Sequence, residues 1–124
     1  MPTKKLSVEE VLHPIELTYQ KSIPQMVLDW TEELVRYLQD DYDSESYDPG
    51  GRYNFKMELG RKYWKIHDGN GVHAFVDRNT GDVFKPASWK SPSKGVRYNL
   101  LDEYSRLSCL DKADWAGSYL YVRG

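Results

Sequence analysis

Two tight-turn signals bracket Val72-His73-Ala74-Phe75-Val76 and limit what the middle of the chain can become. The first, Asp68-Gly69-Asn70-Gly71, combines side chains that bond their own backbone with glycines free to take positive φ. The second, Asp77-Arg78-Asn79-Thr80-Gly81-Asp82, reverses the chain again into residues 83–85. Five residues between two reversals suffice for a strand and are too few for a helix. The middle of the chain is therefore expected to form antiparallel hairpins, with strands at residues 62–67, 72–76 and 83–85. A two-residue loop at Gly69-Asn70 pairs His67 with Val72 and Ile66 with His73. The two imidazoles then point to opposite faces of the sheet, and an odd loop length would reverse that result.

The flanking segments extend the pattern. Tyr53, Phe55, Met57 and Leu59 alternate with polar residues, as in a half-buried strand. Residues 96–100 and 118–122 read as further strands, and Asp102 is placed to cap a helix with Tyr104, Leu107, Leu110 and Ala113 on one face. Toward the N-terminus, Ser7-Val8-Glu9-Glu10 is a capping-box pattern opening a short helix disturbed at Pro14. Ser22-Ile23-Pro24-Gln25 opens a second helix, running to about Asp40 and covering the sheet with a Met26, Trp30, Leu34 and Leu38 stripe. Residues 40–48 then read as an exposed acidic linker. The expected fold class is α+β: N-terminal helices on a small, mostly antiparallel sheet, with one further helix before a C-terminal strand. With 124 residues, this makes one domain.

Charge divides the domain. Residues 1–50 hold four Lys and Arg against eleven Asp and Glu, a balance of −7. Residues 51–124 hold thirteen against eight, a balance of +5. Such an asymmetry suits halves that dock on each other, halves that face different partners, or simply a mixed solvated surface. The apolar runs are too short for a membrane span or a signal peptide. The lone Cys109 rules out an intrachain disulfide framework and a cysteine-based zinc site, and it fits a reducing cytoplasm.

Catalytic patterns are absent from the sequence. His13, His67 and His73 form no HExxH or facial-triad spacing, so no metal is expected. Cys109, between Leu107 and Leu110, reads as a small core residue. No nucleophile elbow, P-loop or dinucleotide motif occurs, and no cofactor is implied. The densest polar and aromatic cluster runs from Lys85 to Asn99. Within it Lys85, Trp89, Lys90, Lys94, Arg97 and Tyr98 are the candidate ligand-binding residues. Phosphate recognition uses this mixture, because Lys and Arg neutralise charge while an aromatic ring stacks on a base. The plainer account is that Trp89 plugs a sheet edge and the lysines keep the loop soluble. Arg52, Lys56, Arg61, Lys62 and Lys65 would add to the field if they shared that face, although strand alternation puts Lys62 opposite Lys65. Asp40, Asp41, Asp43 and Glu45 are the candidates for an alternative, a surface that mimics a nucleic-acid backbone.

Residues 72–77, 80–90 and 94–102, which include Lys85-Pro86-Ala87-Ser88-Trp89-Lys90 and Lys94-Gly95-Val96-Arg97-Tyr98-Asn99-Leu100-Leu101-Asp102, resemble small conserved proteins of tailed phages, including cyanophages. Residues 113–121 fit the same pattern, and the resemblance spans about residues 59–121. It implies a phage origin and expression inside a bacterial cell, and it carries no assigned reaction. The expected function is that of a non-enzymatic binding protein in the host cytoplasm, recognising a nucleotide or nucleic acid and countering host defence. The alternative is an inhibitor of a bacterial host protein acting through the acidic half. A small hydrolase or nuclease using His67 or His73 ranks third. No membrane is expected as partner, and fourteen Tyr and Trp residues leave aromatic surface for a homo-oligomer.

Overall fold

The computed structural model describes residues 21–45 and 53–121. The expected helix after Ser7 lies outside them. Ser22 opens helix α1 (Ile23–Glu45), its hydroxyl accepting the Gln25 amide at 3.2 Å, with Pro24 where no intrahelical donor is required. The buried stripe of α1 is Val27, Thr31, Leu34, Leu38 and Tyr42. Met26 and Trp30 flank that stripe rather than leading it. Thr31 is tolerated there because its hydroxyl donates to the Val27 carbonyl at 2.7 Å.

The expected linker at residues 40–48 is helical as far as Glu45, and the reason is tertiary. Tyr42 adds one turn to the apolar stripe and packs edge-on against Tyr53 and Trp115, with ring centroids 5.1 and 5.2 Å away. The Gln39 side chain accepts the Phe55 amide at 2.8 Å and donates to the Tyr53 carbonyl at 3.1 Å. Asp41 accepts the Trp115 amide at 2.9 Å. These anchors outweigh the macrodipole penalty on acids at a helix C-terminus, which is only about 0.3–1 kcal/mol.

Five strands follow: β1 (Lys56–Leu59), β2 (Tyr63–His67), β3 (Val72–Asp77), β4 (Asp82–Phe84) and β5 (Tyr98–Asn99). They pair in sequence order, every pair antiparallel. Asp68 shapes the β2–β3 turn by accepting the Asn70 and Gly71 amides, and Asp77 does the same at β3–β4 for Asn79 and Thr80. Gly81 is required in that second turn: its φ is +81°, and a Cβ there would come within 3.0 Å of the Leu101 side chain. His67 pairs with Val72 as expected, but Ile66 pairs with Ala74 rather than His73, because a bulge makes His73 the extra residue. The expected strand at residues 96–100 shrinks to Tyr98–Asn99, whose polar member is consumed in turns. Asn99 accepts the Leu101 and Asp102 amides and donates to Asp82.

Asp102 caps α2 (Glu103–Lys112), accepting the Ser105 amide at 3.2 Å. Of its expected apolar face only Leu110 is buried, together with Cys109; Tyr104 and Leu107 are exposed. The described residues end in a 3-10 turn (Ser118–Tyr121), where a strand was expected over residues 118–122. Asp114 accepts the Gly117 and Ser118 amides, Gly117 takes a φ of +87°, and the adjacent Tyr119 and Leu120 both enter the core. Strand alternation would have sent one of those two outward. The core joins Val27, Leu34 and Leu38 to Ile66, Ala74, Val76 and Val83, with Leu100, Cys109, Tyr119 and Leu120 closing it. No helix among the described residues is long and apolar enough to cross a membrane.

Candidate functional site

Directly paired residues share a sheet face. Ile66, Ala74, Val76 and Val83 lie on the side covered by α1. The pairs Lys56↔His67, Glu58↔Lys65, Lys65↔Phe75, Tyr63↔Asp77 and Phe75↔Phe84 define the other face. Aromatic rings floor it: Tyr63 meets Phe75 and Phe84 edge-on, with centroids 5.8 and 5.9 Å apart.

The loop after β4 lies over this face. Pro86 and Pro92 form an isolated bridge, and the Ala87 and Ser88 amides donate to the Ser91 carbonyl at 3.0 and 3.1 Å. The Ser88 hydroxyl accepts the Lys90 and Ser91 amides, each at 3.2 Å. A loop so closed presents its side chains with little ordering left to do on binding. It holds Trp89 against the sheet, 5.4 Å from the His67 ring, with the Lys65 ammonium 4.4 Å from the indole centroid. Trp89 nevertheless stays 43% exposed, so part of the indole remains open to stacking.

Beside Trp89 opens a cleft of about 400 Å³ between this loop and the β1–β2 turn. Arg61, Lys62, Lys65 and Lys90 line it together with Tyr63 and Phe75; Glu58 is its one carboxylate. Among the described residues none of the four cations is held in an ion pair. Lys62 reaches the same cleft as Lys65, contrary to expectation. It precedes β2, so strand alternation does not govern it, and its ammonium lies 5.4 Å from the Tyr63 ring centroid. Lys56 is exposed on the same face outside the cleft, and Arg52 lies outside the described residues.

The candidates from the Lys85-to-Asn99 cluster do not form one site. Trp89 and Lys90 belong to the cleft region. Lys94 is exposed and is not part of the cleft lining. Arg97 is half-buried, its Nε without a hydrogen-bond partner. Lys85 sits elsewhere, its ammonium 4.7 Å from the Tyr121 ring centroid. Tyr98 is a core residue: its hydroxyl donates to the Tyr119 carbonyl at 2.8 Å and its ring stacks on Tyr119, which removes it from any ligand surface. Among the acidic candidates, Asp41 is engaged by Trp115 and Asp43 accepts from Gln39, which leaves Asp40 and Glu45 as the exposed pair. Tyr63, the residue missed in the sequence, stands two positions before Lys65 and so shares its face.

The histidines have separate surroundings. His67 Nδ1 accepts the Gly69 amide at 3.1 Å, so the neutral ring carries its proton on Nε2, 3.9 Å from Glu58. His73 lies between Phe55 and Tyr119, its Nε2 2.8 Å from the Tyr119 hydroxyl. Burial lowers its pKa from 6.5 to about 4, against the raising influence of Asp114 and Asp68. Burial also pushes the Cys109 thiol up to about 12, which keeps it protonated and unreactive. Among the described residues no three His, Cys, Asp or Glu side chains gather as metal ligands.

The molecule is thus a small α+β protein with a helix on one face of an antiparallel meander and a basic, aromatic cleft on the other. The chain belongs to DUF7717, a family of unknown function, whose model matches residues 13–122. Neither curated proteins nor solved structures provide a match.

Proposed function

We propose that this is a non-catalytic binding protein that takes a phosphate-bearing ligand, a nucleotide or a nucleic-acid strand, in the cleft beside Trp89. The observation that carries this reading is the convergence of Arg61, Lys62, Lys65 and Lys90 on one cleft, without ion-pair partners among the described residues, next to a half-open indole. Cations of this kind attract phosphates, and Trp89 supplies a stacking surface worth about 1–3 kcal/mol per base regardless of sequence. The pinned loop around Trp89 lowers the entropy lost on binding. Under the phage resemblance, the setting we propose is the cytoplasm of an infected bacterium, where capture of a nucleotide signal or a nucleic acid would counter a host defence.

Fluorescence titration with a short oligothymidylate tests this. The expected result is quenching that disappears in Trp89→Phe and binding that weakens steeply with added salt. An oligonucleotide that leaves the emission unchanged at low salt would contradict the strand form of the proposal, and the same outcome with nucleoside triphosphates would contradict it altogether.

A further inference from the structure

A second cavity, of about 300 Å³, opens at the far end of β2, between the β2–β3 turn, Lys85 and the C-terminal 3-10 turn. We propose that it is a separate small-molecule site for a nucleoside monophosphate: a planar base offering a hydrogen-bond donor and an acceptor, with one acidic group. This inference does not rest on the cleft beside Trp89. That cleft lies by the β1–β2 turn, and the two cavities share no lining residue.

Size and chemistry select the ligand. The volume stands at the lower end of small-molecule sites, which run from about 300 to 1,000 Å³, so it suits a single mononucleotide-sized molecule rather than a polymer. Tyr53, Trp115 and Tyr121 supply aromatic wall, and Tyr121 is 70% exposed, open to a planar guest. Three polar groups meet that wall. Lys85 is a cation already poised over Tyr121 and suits the acidic group. Asp68 spends one carboxylate oxygen, Oδ1, on the Asn70 and Gly71 amides, which leaves Oδ2 to accept from a ring N–H or an amino group. His73 supplies the complementary donor. Nε2 lies 2.8 Å from the Tyr119 hydroxyl, and with that hydroxyl donating to Nε2 the neutral ring carries its proton on Nδ1. The Cε1–Nδ1 edge faces Gly117, which also lines the cavity: a Cβ at Gly117 would lie 3.7 Å from Cε1 and 3.9 Å from Nδ1. Glycine there keeps the imidazole edge uncovered.

Gly71 allows the cavity to be filled while the fold is kept. It lines the space, its φ is not positive, and a Cβ there would meet nothing within 4 Å. The experiment is calorimetric titration of the full chain with AMP, GMP, CMP and UMP, on wild type, Gly71→Leu, Lys85→Met and the cleft variant Lys62→Ala/Lys90→Ala. The expected result is saturable binding of at least one nucleotide, weakened about tenfold or more by Gly71→Leu and by Lys85→Met and unchanged in the cleft variant. Far- and near-ultraviolet circular dichroism shows that the variants keep the fold. Binding lost only in the cleft variant would overturn this site while leaving the cleft reading intact. Failure of all four nucleotides to bind, or binding that survives Gly71→Leu, would also overturn it.

Discussion

On the face of the sheet under α1, Ile66, Ala74, Val76 and Val83 are sealed against Val27, Leu34 and Leu38. On the opposite face Tyr63, Phe75 and Phe84 are as aromatic as a core, yet Lys65, Lys90 and the half-exposed Trp89 sit around them. Both faces are built from one set of strands, so neighbouring residues of β2 serve opposite ends: Ile66 holds the fold, while Lys65 faces the cleft. Apolar character alone therefore does not distinguish core from surface here. Cations standing among the rings do, because a charge without a partner would be costly in a sealed layer.

The largest expected effect comes from crossing that boundary within β2. Ile66→Ala should cost about 2–5 kcal/mol in urea denaturation, because it empties a fully buried site. Lys65→Ala should cost about 1 kcal/mol or less, because this half-buried residue loses only its stem packing and its contact with the Trp89 ring. Equal costs would erase the division between the faces.

The two histidines extend the comparison to pH. The folded state holds His73 neutral down to about pH 4, whereas the unfolded chain takes up a proton near 6.5. Stability from this residue is present in full above 6.5 and is lost as pH falls toward 4, by roughly 2–3 kcal/mol. His73→Gln should remove that part of the acid sensitivity, seen as a smaller difference between urea midpoints at pH 7 and pH 4.5. An unchanged pH dependence would mean that His73 is solvated.

A smaller effect separates binding from folding at Trp89. Trp89→Ala should weaken oligothymidylate binding by about 1–3 kcal/mol and lower the unfolding free energy, measured in urea, by about 1 kcal/mol for its lost contacts with His67 and Lys65. The smallest expected change is a reduction in the slope of log affinity against log salt by about 0.7 for each cleft lysine removed, tested with Lys62→Ala and Lys90→Ala.

What could be read in the sequence was what is decided locally. Asp68 and Asp77 write their turns with their own carboxylates, and Asp102 writes its cap, so the hairpins and α2 were legible. What escaped was decided by distant contacts. Tyr42 carries α1 past Asp40 only because Tyr53 and Trp115 receive it, and residues 118–121 coil because Tyr119 and Leu120 both have places in the core. The same holds for the site. Trp89 and Lys90 are visible as a cluster, and Arg61, Lys62 and Lys65 as cations that add to it on a shared face; the shared face itself, and Tyr63 on it, depend on the β1–β2 turn, while Lys85 and Tyr98, close in sequence, are carried to another cavity and into the core.

The most direct test of the cleft is amide chemical-shift mapping of the isotopically labelled protein during titration with a ten-residue oligothymidylate. The account predicts shifts concentrated at Arg61, Lys62, Tyr63, Lys65, Trp89 and Lys90, together with the Trp89 indole N–H, and little change along α1. Shifts confined to Asp40, Asp41, Asp43 and Glu45, or no shifts at low salt, would contradict it.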